Sequence, residues 1–281
     1  GDLPEEVRVL LDYHRATGVL PPPSVANTDL AAMSDEVAEI LTLASAYDAL
    51  RSADQSHDVE VTLADGTTIR GRVNRCSDGP RPGPVRLMYN RFKPKYLVSA
   101  AIDLLVLTAS RPEVEWRGVL ITRGDSKKPP QTWGRAVVGG TADERRRSAL
   151  DALAILVSQY RDGACYPLPL FDATSYALIH GAGPRTSARS AARAKWGDHG
   201  KDRYSWSREA QDDYHLLAFG PLEFDDLETI ELGGHTLSGE ADRLWGTLDG
   251  ALVELDAELD TQLDDDVLAT ADTTTSKGER S

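Results

Sequence analysis

Residues 59–74 read VEVTLADGTTIRGRVN, and this stretch decides the fold class. Val59, Val61 and Leu63 alternate with polar residues, the period of a strand that buries one face. Asp65-Gly66 supplies a tight turn, because Gly accepts the positive φ that such a turn demands. Alternation resumes from Thr67 to Asn74, so the spacing predicts a hairpin. A Gly/Pro-rich loop, Ser77 to Pro84, separates it from a third short strand, Val85 to Tyr89.

Working outward, the period lengthens. Leu97, Ala101, Leu104, Leu105 and Thr108 recur at helical spacing from Pro94 to Ser110, and Val119-Leu120-Ile121 reads as a buried strand. A polar tip, Gly124 to Gln131, and Ala136-Val137-Val138 predict a second hairpin. A helix over 143–161 carries Leu150, Leu153, Ile155, Leu156 and Tyr160. Further helices are predicted at 186–197, 208–219 and 239–260. Upstream, residues 3–16 and 29–51 read as helices, the latter with a seam of Leu30, Met33, Val37, Ile40, Leu41 and Ala44. Strands alternating with helices imply an α/β or α+β domain around one sheet. The expected organisation is a helical segment over 1–52, a main domain over 53–262, and an acidic, Asp/Thr/Ser-rich tail over 263–281 expected to be disordered. The chain opens on Gly1 and is read as a fragment of something longer.

Composition narrows the function classes. The 281 residues include only two cysteines, Cys76 and Cys165, too few for a metal-ligand set or a disulfide framework. A reducing, cytoplasmic setting is expected. No apolar run approaches the ~18–20 residues of a membrane span. No Walker-type loop is present, so no ATP site is expected, and the six histidines show no ligand spacing. The net charge of −14 is unevenly spread: residues 1–85 carry net −7, residues 86–204 net +9, and residues 205–281 net −16. A basic middle between acidic ends fits either a local polyanion site or blocks that attract each other or partner subunits.

Several segments carry a family resemblance. They are DGTTIRGRV (Asp65 to Val73), RFKPKYLVSAAIDLLVLTAS (Arg91 to Ser110), WRGVLITRG (Trp116 to Gly124) and ALAILVSQYRDGACYPLPLF (Ala152 to Phe171). ARAKW (Ala192 to Trp196), DDYHLLAFG (Asp212 to Gly220) and LWGTL (Leu244 to Leu248) follow in order. Together they resemble the C-terminal region of the RecC family, the gamma subunit of exodeoxyribonuclease V (RecBCD). The resemblance is good from Leu63 to Gly220, weak over the first 50 residues and absent from the tail.

The resemblance implies an α/β fold of the PD-(D/E)XK restriction-endonuclease-like kind, a mixed sheet flanked by helices. Active members hold divalent metal on carboxylates of neighbouring strands. Set against that pattern, Asn74 stands at the first carboxylate position, Met88 at the second, and Asn90 at the lysine. An amide is a weak Mg²⁺ ligand and a thioether offers no hard oxygen, so a catalytically degenerate site without metal is expected. The family also implies RecB-like and RecD-like partner subunits, which hold the ATP and Mg²⁺ chemistry, and contact with DNA at a duplex junction and along separated strands. Two rivals remain: a divergent active nuclease using carboxylates such as Asp65 or Asp103, and a protein–protein scaffold that never touches DNA.

Three basic groups are the candidate DNA contacts. Arg185, Arg189 and Arg193 share a helical face, continued by Lys195, Lys201 and Arg203 and interleaved with Trp196 and Trp206. Arginine pairs phosphate and an aromatic ring stacks on an unpaired base. The alternative is a solvated or partner-facing helix with both tryptophans in the core. Lys127 and Lys128 sit on the polar tip, either a strand-separating pin or an ordinary loop. Arg91, Lys93 and Lys95 precede a helix, where they either meet phosphate or merely solvate its start.

Overall fold

The computed structural model describes Tyr13, Met33 and residues 36–45, 55–79, 82–124, 128–181, 183, 186–197 and 209–255. The predicted helix over 3–16 and the acidic tail lie outside the described residues, Tyr13 apart.

The hairpin is where the sequence puts it. Strand β1 (Gln55–Thr62) pairs antiparallel with β2 (Thr68–Ser77) around the Asp65-Gly66 turn. Gly66 has φ 83° and the Asp65 carboxylate accepts from the Thr67 amide at 2.8 Å, so one side chain and one left-handed residue close the turn. Arg75, at φ 60°, marks a bulge that places both Val73 and Cys76 on the buried face.

Strand β3 (Gly83–Arg91) runs antiparallel to β2, joined to it through Cys76↔Pro84 and Ser77↔Gly83. Gly83 is obligatory: a Cβ there would lie 1.9 Å from the Arg117 carbonyl oxygen. Helix α2 (Pro94–Ser110) then crosses over to β4 (Arg117–Arg123), which pairs parallel with β3. A parallel neighbour needs such a crossover. Strand β5 (Gln131–Val137) returns antiparallel and is longer than the expected Ala136–Val138.

The result is a mixed six-stranded sheet in the order β1-β2-β3-β4-β5-β6. The last strand among the described residues, β6 (Leu252–Glu254), falls inside the helix expected over 239–260, of which 256–260 lie outside the described residues. Helical structure ends at Ala251: α8 (Leu237–Ala241) passes through a π-helical turn (Asp242–Gly246) into α9 (Thr247–Ala251), and the chain then pairs with β5. Free hydrogen bonds on the edge of β5 outweigh the local helical pattern.

One core lies between the sheet and α2, where Leu97, Leu104, Leu105 and Leu107 pack with Val59, Val73, Leu120 and Trp245. Helix α3 (Ala142–Cys165) joins this layer through Ala149, Ala152 and Leu153. A capping box between Thr141 and Glu144 starts it. Its Ile155 and Tyr160 were expected on the seam but are 40% and 78% exposed. The opposite face of the sheet is covered by α1 (residues 36–45), whose Ile40 and Ala44 meet Val85, Val119 and Ile121. Here too the predicted seam is too wide: Met33, Val37 and Leu41 are exposed.

A second core follows in the chain. Helix α4 (Asp172–His180), α5 (Ala188–Trp196), α6 (Asp213–Phe219) and α7 (Phe224–Thr229) gather around Phe171, Trp196, Phe224 and Leu227. The helix predicted over 208–219 is split into a 3₁₀ turn (Glu209–Gln211) and α6, because Asp212 accepts from the Tyr214 and His215 amides and so starts a new helix. No helix among the described residues is long and apolar enough to cross a membrane.

Candidate functional site

The three degenerate positions do not come together on one face. Asn74 follows the buried Val73, so alternation turns it outward, where its Oδ1 accepts from the Ser56 hydroxyl at 2.9 Å. Met88 packs against the core under α2, and Asn90 is exposed. The bulge at Arg75 leaves Asn74 on the face opposite to Val73, while Met88 faces the core that Val73 joins.

The polar groups of the sheet that face α2 are different ones. Arg86 of β3 reaches Asp103 of α2, with Nη2 to Oδ2 at 2.5 Å and Nε to Oδ2 at 3.2 Å. Cys76 lies nearby, fully buried, and burial and the Asp103 charge push its thiol up to about 11. A thiol held protonated is neither a nucleophile nor a metal ligand at neutral pH. Asp65 is engaged in the same way as Asp103. Its carboxylate bonds Thr67 and meets Arg161 at 2.8 Å, and it is held at about 2 by those hydrogen bonds. Each carboxylate singled out for a possible nuclease thus has an arginine as its cation. Among the described residues no three His, Cys, Asp or Glu side chains cluster as a metal set.

The basic helix is equally occupied. On α5, Arg189 Nε lies 2.9 Å from both Glu228 carboxylate oxygens and its Nη2 lies 2.5 Å from Asp225 Oδ1. Arg193 also bonds Asp225. Both guanidiniums sit over the Phe224 ring, at 5.7 and 5.2 Å from its centroid. The acids of α7 neutralise the face that was expected to meet phosphate. Trp196 corrects a second expectation: it is 1% exposed, donates its Nε1–H to the Leu222 carbonyl at 2.9 Å, and packs edge-on against Phe171. It anchors the second core and cannot stack on a base. Lys195 is exposed on the same helix. Arg185, Lys201, Arg203 and Trp206 lie outside the described residues, as does Lys127; its neighbour Lys128 is exposed.

Arg91, Lys93 and Lys95 are exposed around the start of α2. The positive end of that helix would attract an anion, but one is built in. Asp172 accepts from the Lys95 amide, and Glu209 takes the equivalent place on α4, with Oε1 and Oε2 each 2.8 Å from the Ala173 and Thr174 amides. Burial, and then repulsion from Glu209, push the Asp172 carboxyl up to about 6. Sequence reading missed this junction, because Asp172 and Glu209 are 37 positions apart and meet only when α4 packs beside α2.

Sequence reading also missed a cavity of about 110 Å³ between α2, β5, α4 and α9. Trp133, Tyr176 and Trp245 form its walls, and Arg135, His180 and Asp249 its polar members. These aromatics are single residues scattered over the chain, so no local pattern marks them.

Residues 3–182 match the family model described as the RecC C-terminal domain. The chain is 32% identical over 161 residues to the RecBCD enzyme subunit RecC of Mycolicibacterium smegmatis, covering 57% of this chain and 14% of that protein. It is 30% identical over 193 residues to the RecBCD enzyme subunit RecC of Mycobacterium tuberculosis, covering 68% of this chain and 16% of that protein. The chain thus spans 14–16% of the length of these relatives. The family match takes in the N-terminal segment and stops before ARAKW.

Proposed function

The chain belongs to the RecC C-terminal domain family, and from that membership we propose that it is a non-catalytic DNA-handling and scaffold domain of a RecBCD-type helicase–nuclease. In this reading the whole protein serves double-strand break repair and recombination in the cytoplasm. It joins RecB-like and RecD-like subunits, which carry the ATP- and Mg²⁺-dependent chemistry. The fold is read as a PD-(D/E)XK-like sheet that has lost its metal site. The order of β1 to β3, crossover helix α2 and parallel β4 supports that relation.

The observation that carries the non-catalytic part is the pairing of Asp103 with Arg86. A guanidinium fixed on a carboxylate fills the place a divalent cation would need and repels it electrostatically. Asp65, held by Arg161, is no freer. For DNA contact, the exposed cations Lys93, Lys95 and Lys195 take precedence over Arg189 and Arg193, whose charge is already met by Asp225 and Glu228.

The test uses the full-length protein assembled with its partner subunits. Binding to a forked duplex is measured over a range of salt for wild type and for Lys93→Ala/Lys95→Ala/Lys195→Ala. Each phosphate contact removed should lower the salt slope by roughly one unit. An unchanged slope removes these three lysines from the DNA contacts. Mg²⁺-dependent cleavage of linear DNA by the chain without its partners, abolished by Asp103→Ala, would overturn the non-catalytic reading.

A further inference from the structure

We propose that the free edge of β1 is a docking site for an extended segment of a partner subunit that carries lysine or arginine at alternate positions. The proposal rests on the reading above that the whole protein joins such subunits, and adds to it a surface and the chemistry of the segment that fits.

The backbone geometry supplies the site. Strand β1 stands at one end of the sheet, and among the described residues no strand pairs with its outer side. The Leu63 amide donates to the Thr67 carbonyl at 2.8 Å, which fixes the phase of the ladder. From there, antiparallel alternation turns the N–H and C=O groups of Val61 and Val59 toward β2, and those of Thr62, Glu60 and Asp58 toward the free edge. Thr62 and Thr68 are close neighbours, their hydroxyls 3.4 Å apart, as the non-bonded positions of such a ladder are. Main-chain donors and acceptors thus face outward at every second residue. The register is unbroken from His57 to Thr62, with no proline, lysine or bulge to block a further strand. At the other end of the sheet, β6 (Leu252–Glu254) is far shorter.

Charge selects the occupant. The residues that offer their backbone also turn their side chains to the outer face of the hairpin. The Asp58 and Glu60 side chains are 74% and 60% exposed, while Val59 and Val61 are buried in the core. Arg72 and Arg70 pair these acids from the β2 side only. Arg72 takes both oxygens of Asp58, but Arg70 takes only Oε1 of Glu60, whose Oε2 has no partner among the described residues. A strand added on the free side sets its own residues directly opposite Asp58 and Glu60. A cation there completes a row of arginine, acid and cation, and opposite charges across strands stabilise a sheet where like charges oppose it. The same rule works against a second copy of this chain. Two β1 edges paired antiparallel about Glu60 set that acid against itself, and the adjacent register sets Asp58 against Glu60. Strand addition takes its affinity from main-chain bonds and its specificity from alternate side chains, and this edge offers both.

The experiment uses the full-length protein, alone and assembled with its partner subunits. Hydrogen exchange resolved to single amides is measured over β1 in both states. The expected result is that the amides of Asp58, Glu60 and Thr62 exchange fast in the protein alone and slowly on assembly, while those of Val59 and Val61 are slow throughout. In parallel, assembly is titrated for Glu60→Pro, which removes an outward donor and none that β2 uses, and for Asp58→Lys/Glu60→Lys. Each should weaken assembly on the order of tenfold. Outward amides that stay fast in the complex overturn the docking site and leave assembly intact. Outward amides already slow in the protein alone give the edge to another part of its own chain and overturn the partner segment. Slowing on assembly that persists at wild-type affinity in Asp58→Lys/Glu60→Lys overturns its cationic character. Failure of the wild-type protein to assemble at all overturns the underlying reading instead. The exchange measurement needs no substitution, so it stands even where Glu60→Pro disturbs the hairpin.

Discussion

Arg86 and Asp103 face each other across the interface between β3 and α2, their side chains 34% and 22% exposed and 2.5 Å apart at the closest atoms. The ion pair ties the helix to the strand.

That pairing predicts a stability effect without a metal effect. Asp103→Ala leaves a half-buried guanidinium without its anion and should cost about 1–3 kcal/mol, between the values for surface and fully buried pairs. Replacing both partners by apolar residues, Arg86→Met with Asp103→Leu, should recover most of the loss. Millimolar Mg²⁺ should leave the wild-type melting temperature unchanged, because a site that binds only the native state would raise it. Denaturant titration and thermal melts with and without Mg²⁺ check both.

Trp196 should behave as a core residue. Trp196→Ala is expected to cost about 3–5 kcal/mol, as large aromatic truncations do, and to loosen α4 to α7 before the sheet. Hydrogen exchange should show protection lost first in α5 and α7, with the amides of α2 and β4 still protected.

Arg189 is held by Glu228 and Asp225 on an exposed surface. Arg189→Ala should therefore leave the salt slope of DNA binding unchanged. Its stability cost should stay within about 1 kcal/mol, since exposed ion pairs contribute little. A slope reduced by a full unit would return this residue to the DNA contacts.

The junction of Asp172, Glu209 and the α2 N-terminus predicts a pH dependence. The folded-state carboxyl of Asp172 sits at about 6, above its ordinary value of 3.8. The native state therefore keeps a proton that the unfolded chain has lost, and stability contributed by this group falls as pH rises between these two values. Asp172→Asn keeps an acceptor for the Lys95 amide without the charge. It should raise stability at neutral pH by about 1 kcal/mol, the shift being discounted for partial exposure, and flatten the pH profile between 4 and 6. Melts at pH 4, 5, 6 and 7 for wild type and variant measure it.

Much of the fold was legible because its signals are local. The Asp65-Gly66 turn, the alternation around Val59 and Val73, and the seam of α2 from Leu97 to Thr108 each act within a few residues, and each element formed as read. The family resemblance was legible for the same reason, as a series of short segments in order. The errors lie where distant parts decide. Ile155, Tyr160, Val37 and Leu41 have helical spacing, but the sheet reaches only part of each helix face. Leu252–Glu254 continues a helical pattern in sequence and became a strand because β5 offered an unpaired edge.

The sequence by itself determined the hairpin, the crossover helix and the absence of acids from 80–101, since composition and period need no third dimension. Only the tertiary structure decided what the charged and aromatic side chains are for. Electrostatic partners and ring contacts act across space. They set Arg86 on Asp103, Asp225 on Arg189 and Arg193, and Asp172 at the α2 N-terminus, and they brought Trp133, Tyr176 and Trp245 around one cavity.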